Sequence, residues 1–178
     1  MSLGDELRAI ADLLVHRTVD DGAAILVAAH LGEARAALES LETVERVDHD
    51  RVGPWRGEDN VVAPPLVFGE PVSRDGVLVT NALARCGARY EGRAGILHGG
   101  IVAACFDEVC AVAQRDSGVA GLTRTLEVRY RAPVRVDDAM VFTAWLEHDD
   151  GRRALVRAAC HVDDDLRADA TAEFARPR

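Results

Sequence analysis

Between Ile101 and Ala113 the chain reads IVAACFDEVCAVA, an almost unbroken run of Ile, Val, Ala, Cys and Phe. A helix of that composition is apolar nearly all round, and such helices lie inside a protein. The run therefore predicts a buried central helix, and the rest of the chain must supply what surrounds it. His98-Gly99-Gly100 opens the run, and Ser117-Gly118 closes it where a glycine suits a helix end.

Two acids, Asp107 and Glu108, interrupt the apolar residues. A carboxylate in such surroundings is costly unless it is paired or hydrogen-bonded, which marks the pair as a candidate site. At the front of the helix the first backbone N–H groups have no internal partner, and the helix dipole favours negative charge there. Glycines at 99 and 100 leave those donors open to a ligand oxygen, the requirement of an oxyanion site. Gly100 and Asp107 are seven residues apart, so on one helix they stand about 10 Å apart along the axis. A donor and a catalytic carboxylate must both reach one reacting centre, which a single helix cannot arrange. Two copies with these helices antiparallel across a two-fold axis would bring the Asp107 of one to the Gly100 of the other.

After the helix come four segments with period-2 alternation: LTRTLEVRYRAPV, AMVFTAWLEH, ALVRAACHV and LRADATAEFA. Their inward sets are Leu126, Val128 and Tyr130; Met140, Phe142, Ala144 and Leu146; Ala154 through Val162 at alternate positions; and Leu166, Ala168, Ala170, Ala172 and Phe174. Polar residues on the opposite face mark an antiparallel sheet with one wet side. Asp149-Asp150-Gly151 and Asp163 to Asp165 supply the hairpin turns. A further strand, VLVTNALARC, precedes the helix. One strand, one apolar helix and an antiparallel meander make an α+β fold in which a curved sheet wraps a single helix. Ahead of it, helical spacing predicts an amphipathic helix over Asp5–His16. A second helix, capped by Asp20 or Asp21, is expected from about Ala23 to Val44 with Ile25, Leu31, Ala34, Leu38 and Leu41 as its stripe. Val47 to Asp75 holds most of the prolines and reads as a connector with at most a short strand; its Trp55 and Phe68 either pack or line a pocket. The division is then residues 1–70, helical extension and linker, and 71–178, the sheet-and-helix domain.

HGGIVAACFDE resembles the signature of the hotdog-fold acyl-CoA thioesterases of the phenylacetate-degradation, PaaI-like type, a His-Gly-Gly turn with an Asp nine residues after the His. The resemblance spans roughly Val72 to Arg176. It implies a homodimer or dimer of dimers acting on an acyl-CoA, with no cofactor beyond the coenzyme A of the substrate and no metal. In that family the acid activates water or attacks the thioester, a Gly N–H polarises the carbonyl, and a hydroxyl helps to place the water. The implied catalytic residues here are Asp107, Gly100, His98 and Thr123, the last being ten residues before Pro133. His98 is implied to shape the turn. Spacing alone does not separate Thr123 from Thr125. One position departs from the pattern: several relatives carry Asn six residues before the His, where this chain has Gly92.

Substrate contacts are expected from Gly99 and from arginines near the turn and the next strand, Arg93, Arg129 and Arg131, with Arg89, Arg124 and Arg135 as further candidates for the phosphates of coenzyme A. A wet sheet face also pairs Arg with Asp and Glu, and this chain has 30 acids against 21 basic residues. Its net charge of −9 argues against nucleic acid, which requires a basic face. No apolar run approaches the length of a membrane span, and the first ten residues are too acidic for a signal peptide, so a cytoplasmic location is expected. Cys86, Cys105, Cys110 and Cys160 lack metal-ligand spacing and read as reduced core residues. The alternatives on the same scaffold are a non-catalytic acyl-CoA-binding module and an enoyl-CoA hydratase.

Overall fold

The computed structural model describes residues 3–42 and 60–176. They belong to two compact units, Met1–Val62 and Ala63–Arg178.

The first unit contains helices α1 (Leu3–His16) and α2 (Asp21–Glu39). Asp20 is the N-cap of α2, its carboxylate accepting from the Ala23 N–H at 2.8 Å. The helix stops at Glu39, well short of the expected Val44, because Ser40 turns the chain out. Its N–H closes on Ala36 O and its hydroxyl donates to Ala37 O at 2.7 Å. α2 buries none of its residues, and the expected stripe stays in solvent, with Ile25 72% exposed. Leu31 and Ala34 of that stripe join Leu13, Leu14 and Val27 in lining an open groove of about 560 Å³ between the two helices. Trp55 lies outside the described residues.

The second unit is a seven-stranded antiparallel sheet with one long helix against it. Its strands are β1 (Leu66–Phe68), β2 (Val72–Arg74), β3 (Val77–Arg85), β6 (Leu122–Tyr130), β7 (Ala139–Asp149), β8 (Arg153–Val162) and β9 (Asp165–Ala175). They run in the order β1-β3-β7-β8-β9-β6, and β2 also pairs with β3. A small separate pair, β4 (Glu91–Arg93) and β5 (Ile96–Leu97), leads into α3 (Gly99–Asp116). The proline-rich connector thus contributes β1 and β2 to one edge of the sheet; β6 forms the other edge.

α3 lies on the sheet face formed by the alternating sets Met140, Phe142 and Ala144; Ala154 to Val162; and Ala168 to Phe174, all buried. Across the middle of that face the register aligns Thr80, Ala144, Ala158, Ala170 and Val128, so three successive strands present a methyl group. The flanking rows are bulkier, and Phe142 meets Phe106 of α3 edge-on at 5.2 Å.

Three features depart from simple alternation. Leu166, expected inside, is 42% exposed, because the register shifts between Cys160 and His161 and drops one residue of β9 from the pairing. Tyr130, also expected inside, is 55% exposed at the end of β6. α3 buries only one side, Val102, Cys105, Phe106, Val109, Cys110, Ala113 and Gln114. Ile101, Ala104, Glu108, Ala111 and Arg115, at i, i+3, i+4 spacing, form a half-buried flank. The β8–β9 turn carries Asp163 and Asp164 at φ 50° and 66°, the left-handed pair of a tight hairpin that Asp tolerates better than most residues.

Candidate active site

The His-Gly-Gly turn is pinned from both sides before α3 begins. His98 N–H donates to Tyr90 O at 2.9 Å, and Leu97 N–H donates to Val134 O at 2.9 Å. His98 is the N-cap of α3: its Nδ1 accepts from the Gly100 N–H at 3.0 Å. The imidazole therefore sits on the very donor expected to polarise a carbonyl, and marks where an acceptor stands. A side chain at Gly100 would put its Cβ 3.0 Å from His98 Nδ1, so the glycine is what lets the ring fold back. The backbone before the turn is equally tight. A Cβ at Gly92 would stand 2.9 Å from His98 Cα, so where relatives carry Asn this chain has no room for any side chain.

One helical stretch later, Asp107 lies half-buried on the open flank of α3 and faces β6. Thr123 Oγ1 donates to Asp107 Oδ1 at 3.0 Å, and no other described residue bonds this carboxylate. The hydroxyl is selected by a bulge. Thr123 pairs with Phe174 and Thr125 with Glu173, so Arg124 is the extra residue and the two threonines point to opposite faces. Thr123 turns toward the helix with Phe174, and Thr125 turns outward with Glu173. No alternation rule shows that extra residue, which is why spacing left the two equivalent.

The structure keeps Gly99, Gly100 and His98 together at the front of α3, and Asp107 with Thr123 further along it. It does not bring the two groups together within one chain. Below Gly99 is a cavity of about 310 Å³ lined chiefly by Ile96, Leu97, Val102, Pro133 and Val134, with Tyr130 and Arg131 also on its wall. Arg129 is bonded to Glu127 at 2.9 Å and Arg131 to Asp169 at 2.5 Å. The Arg131 guanidinium, by hydrogen bond and charge, holds the Asp169 carboxyl below its usual range. Arg124 pairs with Glu173 at 3.1 Å, whereas the guanidinium of Arg93 has no bonded partner among the described residues.

Sequence reasoning missed a second basic feature. Arg124, Arg152, Arg153 and Arg176 line one polar cleft of about 580 Å³ at the Thr123 end of β6. The β7–β8 turn builds it: Asp150 Oδ1 accepts from the Arg152 and Arg153 N–H groups at 2.8 and 2.7 Å and sends both side chains outward. The signal was the Gly-Arg-Arg that follows the Asp-Asp turn, facing the arginine near the end of β9.

The four cysteines are free and buried. Burial, aided by the Asp107 charge, pushes the Cys110 thiol up to about 12, and burial lifts Cys160 to about 12. Its hydrogen bond with Cys86, together with burial, moves the Cys105 thiol the same way. Burial thus moves Cys105, Cys110 and Cys160 away from the reactive thiolate. No helix among the described residues is long and apolar enough to cross a membrane.

Residues 94–169 match the model of the Thioesterase superfamily. No curated protein matches the chain in sequence. Among solved structures, a thioesterase superfamily protein is 24% identical with TM-score 0.83, over 97% of this chain and 88% of its own. The PaaI protein from the phenylacetic acid degradation operon of E. coli is 17% identical, TM-score 0.54, over 60% of this chain and 82% of its own. Thioesterase superfamily member 2 from Mus musculus is 16% identical, TM-score 0.53, over 63% and 82%. At these identities the likeness is one of fold: an α+β hotdog arrangement, here preceded by two helices. Residues 94–169 are thus similar in sequence to the Thioesterase superfamily, and the chain shares the fold of these solved structures.

Proposed function

We propose that this protein hydrolyses an acyl-CoA thioester to a free acid and coenzyme A, as a homo-oligomer. The observation that carries the reading is the Thr123–Asp107 hydrogen bond, a carboxylate held on a largely apolar helix with its second oxygen unbonded among the described residues. The half-buried flank of α3, with Ala104 and Ala111 between Ile101 and Arg115, suits a second copy of the same helix. Antiparallel packing there sets the partner's Asp107 against Gly100.

In this arrangement the substrate carbonyl oxygen takes the Gly100 N–H in place of the His98 imidazole, and the acyl group occupies the cavity under Gly99. Water attacks the carbonyl carbon while the partner's Asp107 takes its proton and the partner's Thr123 orients it. The C–S bond then breaks, and the leaving thiolate recovers the proton. Direct attack by the carboxylate would instead form an anhydride that water opens. In the arginine cleft beside Thr123, Arg124 and Arg153 are held by Glu173 and Arg176 by Asp149. The phosphates of coenzyme A would therefore meet Arg152 and Arg93, whose guanidinium groups have no bonded partner among the described residues.

A second reading, an acyl-CoA-binding module without turnover, draws on the Gly100 N–H being taken by His98. Thiol release across short, long and aromatic acyl-CoAs, in wild type and Asp107→Ala, separates the two. A loss of roughly 100-fold or more in kcat with folding intact is expected. Saturable binding without thiol release favours the module, and turnover that survives Asp107→Ala removes the proposed mechanism.

A further inference from the structure

We propose that Tyr130 is a positioning residue for the oxyanion donor, an assignment that rests on the thioesterase reading. Its hydroxyl donates to Gly99 O at 2.8 Å. The Gly99 carbonyl and the Gly100 N–H are the two ends of one rigid, resonant peptide group. A hydrogen bond into the oxygen draws charge toward that end and makes the N–H at the other a stronger donor, as happens along hydrogen-bonded chains. It also fixes the plane of the group, so that the N–H keeps its aim when it exchanges one acceptor for another. His98 Nδ1, 3.0 Å from that nitrogen, shows the direction of the aim.

The local sequence supports the contact. The ring lies close over Gly99, where a Cβ would stand in ordinary van der Waals contact with it, 3.4 Å from Tyr130 Cζ and 3.5 Å from its hydroxyl oxygen. Tyr130 ends β6 opposite Ala168, and the next N–H, that of Arg131, donates to Arg167 O at 2.7 Å, which anchors the strand end. At 55% exposure the ring is not filling the core. β6 thus carries a hydroxyl at each end of its contact with α3: Thr123 on the carboxylate, Tyr130 on the peptide that holds the oxyanion.

The test is Tyr130→Phe, with 3,5-difluorotyrosine at the same position as a graded donor, assayed for thiol release beside Asp107→Ala. Tyr130→Phe is expected to lower kcat about 5- to 10-fold with KM within about twofold and the thermal midpoint held, because it weakens a donor without deleting it. The Gly100 amide ¹⁵N resonance is expected to move upfield in the Phe variant and downfield in the more acidic fluorinated one. An unmoved Gly100 amide, a kcat within twofold of wild type, or a loss that follows a fall in thermal midpoint overturns the assignment. If Tyr130→Phe is silent while Asp107→Ala abolishes turnover, this assignment alone fails. If wild type releases no thiol from any acyl-CoA, the thioesterase reading fails and takes the assignment with it.

Discussion

Helices α2 and α3 are close to equal in length, 19 and 18 residues, and both are rich in apolar residues, Ala and Leu in α2, Ala and Val in α3. α3 buries seven residues; α2 buries none. Apolar composition therefore does not place a helix. What separates them is the surface on offer: four strands turn alternate small and aromatic residues toward α3, while α2 shares with α1 only an open groove. The comparison also runs within α3, whose sheet-facing side is core and whose opposite flank carries Asp107.

The largest effect is expected at Phe106, fully buried and edge-on to Phe142. Phe106→Ala should cost about 3–5 kcal/mol in denaturant unfolding. A cost below about 1 kcal/mol would show that α3 is not the core helix. On the same helix, Asp107→Asn should leave the unfolding free energy within about 0.5 kcal/mol of wild type while removing turnover, since the half-buried carboxylate bonds only Thr123 among the described residues. Thr123→Ala should lower kcat about tenfold and Thr125→Ala leave it unchanged, because the bulge turns them to opposite faces. Equal effects would mean that the strand is regular in solution. Ile25→Ser on α2 should change stability by no more than about 0.5 kcal/mol; a larger loss would mean that its face is covered by a partner.

The smallest effect is electrostatic. Arg131 lowers the Asp169 carboxyl below its unfolded value near 3.9, so the pair stabilises the fold fully above about pH 4. That contribution disappears as pH falls through the native-state value. Asp169→Asn should therefore lower the neutral plateau slightly and flatten the acid limb, with stability at low pH nearly unchanged.

Much of this arrangement was legible in the residues. The strands β7, β8 and β9 read directly because each buries one face, and period-2 patterning reports that. The site motif was legible because glycines and an acid are rare choices inside an apolar helix. Leu166, the Thr123–Thr125 choice and the arginine cleft were not. The first two depend on bulges, each an extra residue that shifts the register and leaves no mark in hydrophobicity. The cleft gathers Arg124, Arg152 and Arg176 from three separate places in the chain, which only pairing brings together. For α2 the stripe was legible but its neighbour was not: a stripe states a capacity to be buried and does not name the surface that covers it.

The row of methyl groups across the middle of the sheet, Ala144, Ala158 and Ala170, has a consequence for how such a chain tolerates change. It acts as a spacer gauge, setting how deeply α3 seats and hence how far Asp107 stands from a threonine anchored in β6. A larger residue in that row has nowhere to go but against the helix. Replacement of one of these alanines by leucine would silence the site while leaving every reactive group in place, so the tolerance of the chemistry is set by residues that take no part in it.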